Sequence, residues 1–238
     1  MSTDKLNKRS TIVRILLPQD CLLCGSAADE AMICGACAAA WPYHDQPACP
    51  QCALPTPAGS RCGRCLAEPP AFDRAVAAFA YRYPLAEVLH AFKYGGRLAL
   101  SRLLADALLA RVQAERWPEL ILPMPLDSIR LRQRGFNQAA EIAKPLAIAT
   151  GLPLALTLLT KIRATAPQMG LPWKDRQANV RGAFACAGGE LRGKRVAIID
   201  DVMTTGATLN EAAKVLKKRG AAAEVAVWVV ARTLSSID

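Results

Sequence analysis

The segment Val196-Ala197-Ile198-Ile199-Asp200-Asp201-Val202-Met203-Thr204-Thr205-Gly206-Ala207-Thr208 sets two adjacent carboxylates directly before a Thr/Gly-rich turn. Backbone N–H groups freed at the start of a helix point at anions, and the hydroxyls of Thr204, Thr205 and Thr208 would add donors. Carboxylates repel phosphate. Asp200 and Asp201 therefore suit the same ligand only by accepting hydrogen bonds from sugar hydroxyls, or by reaching them through a divalent cation. A phosphorylated sugar satisfies both halves, with Asp200, Asp201, Met203, Thr204, Thr205, Gly206, Ala207 and Thr208 as its binding residues.

A second set of residues offers positive charge. Arg130, Arg132 and Arg134 precede Gly135-Phe136-Asn137-Gln138 and read as a loop whose guanidinium forks suit the paired oxygens of a diphosphate. Lys93 sits in the basic turn Lys93-Tyr94-Gly95-Gly96-Arg97. Residues 160–184 form a long basic connection containing Arg163, Gln168, Arg176, Asn179 and Arg181, expected to act as a mobile hood over a bound ligand. Lys93, Arg163 and Arg176 are further candidates for phosphate contact. The plain alternatives are a solvent-exposed basic helix entrance for the arginine run, a linker for the Lys93 turn and disorder for the long connection.

Eight of the nine cysteines form CxxC pairs: Cys21/Cys24, Cys34/Cys37, Cys49/Cys52 and Cys62/Cys65. In a cytosolic protein such pairs read as zinc knuckles, two pairs closing each tetrahedral site. Sequential pairing would join Cys21, Cys24, Cys34 and Cys37 around one ion, and Cys49, Cys52, Cys62 and Cys65 around a second. Each set has nine residues between its pairs. Interleaved pairing, a module with one occupied site, and a redox dithiol are the alternatives. Full sites leave no open coordination position, so the zinc would be structural. His44 lies between pairs as a possible substitute ligand but reads as a surface loop residue, and Cys186 as a small buried one.

These residues need elements to hold them. The run Val196 to Ile199, ending at Asp200, predicts a buried parallel strand, and Val225 to Val230 another. Leu209, Ala212, Ala213, Val215 and Leu216 predict a helix from Thr208 to Arg219. Val76 to Tyr81 reads as an edge strand and Leu120 to Pro123 as a short buried one. Leu85 to Phe92, Leu98 to Arg111 and Ala139 to Ala149 read as amphipathic helices, and a short helix is expected from Ala38 to Trp41. Pro69-Pro70 marks a boundary between a cysteine module, 1–70, and an α/β domain, 71–238.

Charge and hydropathy narrow the functional classes. The chain of 238 residues has a formal net charge of +10, and none of the excess lies in residues 1–70. Residues 128–181 hold nine basic and two acidic side chains, a concentration suited to polyanions such as pyrophosphate, a phosphorylated sugar or a nucleic-acid backbone. No apolar run reaches membrane-span length, which excludes membrane insertion. The N-terminal basic residues are followed by too short an apolar stretch for a signal peptide, so a cytoplasmic protein is expected.

The Asp-Asp-Val-Met-Thr-Thr-Gly-Ala-Thr segment resembles the motif by which type I phosphoribosyltransferases bind phosphoribosyl pyrophosphate (PRPP). With the CxxC pairs, Lys-Tyr-Gly-Gly, Arg-Gly-Phe-Asn-Gln, Gln168, Arg176 and Asn179, nearly the whole chain resembles the ComF/GntX family. That resemblance implies an N-terminal zinc ribbon on a type I phosphoribosyltransferase fold, a mostly parallel sheet flanked by helices. It also implies PRPP with Mg2+ as ligand and a role in competence, the uptake of single-stranded DNA, with a competence helicase as a possible partner. The family often has His-Pro where this chain has Asp127-Ser128. Two readings stay open: a PRPP-binding protein acting near DNA, or an active phosphoribosyltransferase of nucleotide salvage. No catalytic side chain and no base-reading segment is evident.

Overall fold

The computed structural model describes residues 19–28, 32–112, 116–165 and 178–234. In chain order, strands β1 (Gln19–Asp20) and β2 (Ala27–Ala28) and the short helices α1 (Gly35–Ala39) and α2 (Gly63–Ala67) carry the cysteines. Then come β3 (Arg74–Ala80), α3 (Leu85–Tyr94), α4 (Leu100–Val112), β4 (Leu120–Pro123), α5 (Ser128–Arg134) and α6 (Gln138–Thr150). The chain continues through β5 (Leu159–Lys161), β6 (Phe184–Cys186), β7 (Arg195–Met203), α7 (Ala207–Lys218) and β8 (Glu224–Arg232).

The central sheet has the order β3-β8-β7-β4, and all its neighbours run parallel. Strands covered on both faces must be apolar at nearly every position, which is why β7 and β8 read as Val/Ile/Ala runs. Successive side chains alternate between two cores. Val196, Ile198, Val225, Val227 and Val229 face one core, under α7 and the β5–β6 pair. Ala197, Ile199, Ala226, Trp228 and Val230 face the other, under α3, α4 and α6. Helix α7 buries Leu209, Ala212, Ala213 and Leu216, the stripe expected of a helix lying on a sheet.

Three elements differ from the sequence expectation. The strand expected to end at Asp200 continues through Asp201 to Met203, paired with β8 at Asp200↔Val229 and Met203↔Arg232. The arginine run is helix α5, not a loop. Asp127 caps it by accepting from the Arg130 N–H at 2.9 Å, and Gly135 ends it at φ 77°, the left-handed conformation that glycine adopts without penalty. The short helix near Ala38 begins at Gly35, immediately after the ligand-type residue Cys34. Among the described residues no helix is long and apolar enough to cross a membrane.

Candidate functional site

At the carboxyl ends of β4 and β7 lies a cavity of about 220 Å3 lined by Asp200, Asp201, Met203, Thr204, Gly206, Ala207 and Thr208, the basic residues Lys93, Arg130, Arg134 and Lys161, and Asn137, Gln138 and Thr165 among others. Ligands of open parallel sheets bind at this end, where strands pass into loops and helix N-termini. Gly206 makes the turn. Its φ of 82° admits α7 at Ala207, and a Cβ there would sit 3.0 Å from Met203 Cε. The backbone can thus close tightly behind the amides of the loop.

The two carboxylates are not equivalent. Asp201 Oδ2 lies 2.6 Å from Lys93 Nζ, and Asp201 Oδ1 accepts from the Val202 N–H at 2.7 Å. Asp200 Oδ1 accepts from the Asp201 N–H at 2.9 Å. Burial and the adjacent Asp201 charge push Asp200 well above the ordinary carboxylate range. Burial also works against Asp201, yet Lys93 outweighs it and holds Asp201 low. Lys93 is raised in turn, the attraction of Asp201 overcoming the cost of burial. Asp201 therefore carries the charge while Asp200 resists ionisation.

Helix α5 presents its arginines selectively. Arg130 and Arg134, one turn apart, line the cavity, whereas Arg132 does not. Arg134 Nη2 donates to Tyr94 Oη at 2.9 Å, and its guanidinium lies 4.9 Å from the Tyr94 ring centre. Asp127, at the position that departs from the family pattern, also pairs with Lys161 at 3.3 Å, both side chains being nearly buried. Burial lowers Lys161 in spite of that partner. Lys161, Asn137 and Gln138 were not among the candidate site residues. Asn137 Nδ2 donates to Met124 O at 3.1 Å and its Oδ1 caps α6, so it fixes the cavity wall rather than reading as a surface amide.

Two further candidates fall elsewhere. Thr205 is buried, its Oγ1 accepting from the Ala207 N–H at 3.3 Å, and it faces a second cavity behind the loop. Arg163 does not line the cavity: its Nη2 donates to Asn179 O at 2.9 Å and Arg181 O at 2.8 Å, tying together the ends of the basic connection. Arg176 and Gln168 lie outside the described residues.

The cysteines gather as Cys21, Cys24, Cys34, Cys37 and as Cys49, Cys52, Cys62, Cys65, the sulfurs of each group all within 4.8 Å of one another. Cys24 and Cys34 Sγ are 3.6 Å apart, as are Cys52 and Cys62 Sγ. A tetrahedral zinc with Zn–S bonds of about 2.3 Å sets its sulfurs about 3.8 Å apart, so both donor sets fit the ion. His44 is not a ligand-type surface residue. It is buried, with Nε2 2.6 Å from Ala53 O, and belongs to neither group. Cys186, in β6, is half-buried and also outside both.

Residues 12–66 match the double zinc ribbon domain, and residues 132–237 the phosphoribosyl transferase domain. The chain is 38% identical over 231 residues to DNA utilization protein YhgH of Salmonella typhimurium, a match covering 92% of this chain and 100% of that protein. It is 35% identical over 207 residues to competence protein F of Haemophilus influenzae, covering 84% of each. Glutamine PRPP amidotransferase from B. subtilis superimposes on 56% of this chain and 25% of its own, at 26% identity and a TM-score of 0.36. The fold assignment accordingly rests on the domain match and the parallel sheet.

Proposed function

We propose that this chain, which belongs to the family of DNA utilization protein YhgH and competence protein F, binds PRPP with Mg2+ in the cavity at the end of β7. The observation that carries this reading is the convergence on one cavity of Asp200, Asp201, Thr204, Gly206, Ala207, Thr208, Arg130, Arg134 and Lys93. Asp200 and Asp201 would take the ribose hydroxyls, directly or through the cation. Amides and hydroxyls of the loop would hold the 5′-phosphate at the α7 N-terminus. Arg130 and Arg134 would meet the pyrophosphate. The Lys93–Asp201 ion pair keeps a cation at the cavity wall until a ligand competes for it.

Structural zinc in both cysteine groups would order a module formed by residues 1–70, with residues 71–238 as the phosphoribosyltransferase-type domain. Reduced thiols of this kind suit a cytoplasmic location. The names of the relatives point to DNA as the setting, so single-stranded DNA or a helicase that handles it is the proposed partner class. The basic α5 face favours a polyanion beside the pocket.

A second reading, transfer of the ribosyl group with loss of pyrophosphate, is favoured by one observation. Arg130 and Arg134 line the same cavity as the Thr/Gly loop, and guanidinium groups there would stabilise negative charge developing on a leaving diphosphate. One experiment addresses both: titrate the protein with PRPP and Mg2+ by calorimetry, and measure pyrophosphate release with and without nucleobases and single-stranded DNA. Binding that weakens by roughly tenfold or more in Asp201→Asn, as loss of a charged hydrogen-bonding group predicts, supports the pocket. Acceptor-dependent release establishes the transferase. Failure of the wild-type protein to bind PRPP overturns the reading.

A further inference from the structure

Arg232, the last residue of β8, has an uncommon environment. It is only 1% exposed. Its Nε donates to Cys52 O at 2.9 Å, and its Nη1 donates to Met203 O at 3.1 Å, to Thr233 O at 2.7 Å and to Thr204 O. Among the described residues no carboxylate pairs with it. A buried guanidinium with no carboxylate partner is costly unless other opposite charge lies close by. Cys52 belongs to the second cysteine group. Four thiolates around a divalent ion carry a net charge of about −2, which would supply the missing counter-charge.

The other end of the guanidinium grips the phosphate loop. Met203 and Thr204, both of which line the first cavity, offer their carbonyls to Arg232. A second cavity of about 210 Å3, lined by Cys52, Cys65, Phe72, Thr205 and Gly206, separates the cysteine group from the back of the loop. Arg232 thus spans between the group and the loop.

We propose that Arg232 is a positioning residue that couples metal occupancy of the Cys49/Cys52/Cys62/Cys65 group to the shape of the Met203–Thr208 loop. With the ion bound, the Cys52 carbonyl is fixed and the guanidinium is charge-compensated, which holds the loop with its amides free for an anion. Without the ion the arginine loses its counter-charge and the loop loosens. The ligand half of this coupling rests on the PRPP reading above. Linkage makes it reciprocal: an anion that orders the loop also retains the metal.

The test uses the full chain, zinc analysis, hydrogen exchange at Met203–Thr208 and PRPP affinity in the presence of Mg2+. In Arg232→Met and in Cys62→Ser, loop exchange should quicken roughly tenfold or more beyond any change in α4 and α6, with PRPP affinity falling in step. Arg232→Lys, which keeps the charge but reaches only one end, should recover part of the loss. Cys24→Ser should lose one zinc and leave the loop protected. Unchanged loop exchange in Arg232→Met or Cys62→Ser, or an equal response in Cys24→Ser, overturns the proposal. Should Arg232→Met fail to fold, the Cys24→Ser protein decides, since it holds only the second ion. Chelating that ion must release the loop before α4 and α6, and simultaneous release of all three overturns the coupling. Absence of PRPP binding by the wild-type protein defeats the ligand reading alone, because loop exchange still measures the link to the metal.

Discussion

The two cysteine groups are local copies of one another set in different surroundings. In the first, the Gly25 N–H donates to Cys21 O and the Cys21 N–H to Ser26 O; in the second, Ala53 donates to Cys49 O and Cys49 to Leu54 O. Helices α1 and α2 each begin directly after a ligand-type cysteine, Cys34 at φ −67° and Cys62 at φ −72°. Yet the groups pack on opposite faces of the sheet. Cys21 joins Trp41 and Phe79 in the core under α3 and α4, whereas Cys49, Cys52 and Cys65 join Phe72 and Leu209 in the core under α7. Ligand spacing sets the metal geometry; the surroundings decide what the metal supports.

The strongest way to break this comparison is to remove a ligand from each group. Cys65→Ser should cost about 3–5 kcal/mol of global stability, because it leaves the buried Arg232 charge without its compensation. Cys24 is exposed, and Cys24→Ser should cost clearly less, with the loss confined to residues around the first group. Denaturant unfolding alongside zinc analysis measures both, and equal costs would erase the distinction.

The next test concerns the loop that Arg232 ties to the second group. Asp201→Asn should destabilise the protein at neutral pH by about 2 kcal/mol, since it deprives Lys93 of its charged partner. Asp201 is held below 3.8, so its contribution is present above that pH and fades as pH falls through the lowered value. Asp200 has the opposite sign. Its folded form keeps a proton that the unfolded chain releases near 3.8, so stability declines as pH rises from there toward the raised value. Asp200→Asn should remove that decline and stabilise the ligand-free protein while weakening PRPP binding. Thermal unfolding followed across pH checks both, and parallel profiles for the two variants would contradict the assignment of charge to Asp201. Gly206→Ala should cost about 1–2 kcal/mol from its left-handed backbone, with a further loss of ligand affinity as the loop shifts off Met203.

What the sequence disclosed, and what it concealed, follows the same physics. Doubly buried parallel strands must be continuously apolar, so β7 and β8 were visible as runs, and metal knuckles must be closely spaced, so the cysteines were visible as pairs. Helix α5 was not, because it buries no residue and leaves Ile129 and Leu131 exposed, so no apolar stripe marks it. Only its ends, Asp127 and Gly135, carried a signal. The extension of β7 through Asp200 and Asp201 was hidden because paired acids read as a strand end. Nothing in the local sequence marks Arg232, because its partners Cys52 and Met203 lie 180 and 29 residues away. Lys161 and Asp127 were concealed in the same way, at a separation of 34 residues.

The finest test lies within the repeat itself, four residues after the first cysteine of each group. That position is Gly25 at φ 71° in the first group and Ala53 at φ 56° in the second. Ala53 accepts the left-handed backbone because its side chain is buried in the core and its carbonyl receives His44 Nε2 at 2.6 Å. A Cβ added at Gly25 would meet nothing within 4 Å. Gly25→Ala should therefore bear only the backbone penalty, about 1 kcal/mol, with two zinc ions retained and PRPP affinity unchanged. Ala53→Gly relieves the same strain but removes a buried methyl and loosens the unfolded chain, so its net effect should favour neither state strongly. Denaturant unfolding resolves both. A cost of several kcal/mol at Gly25 would mean that the first group is pressed against its surroundings as closely as the second, and the division of labour between the two would lose its structural basis.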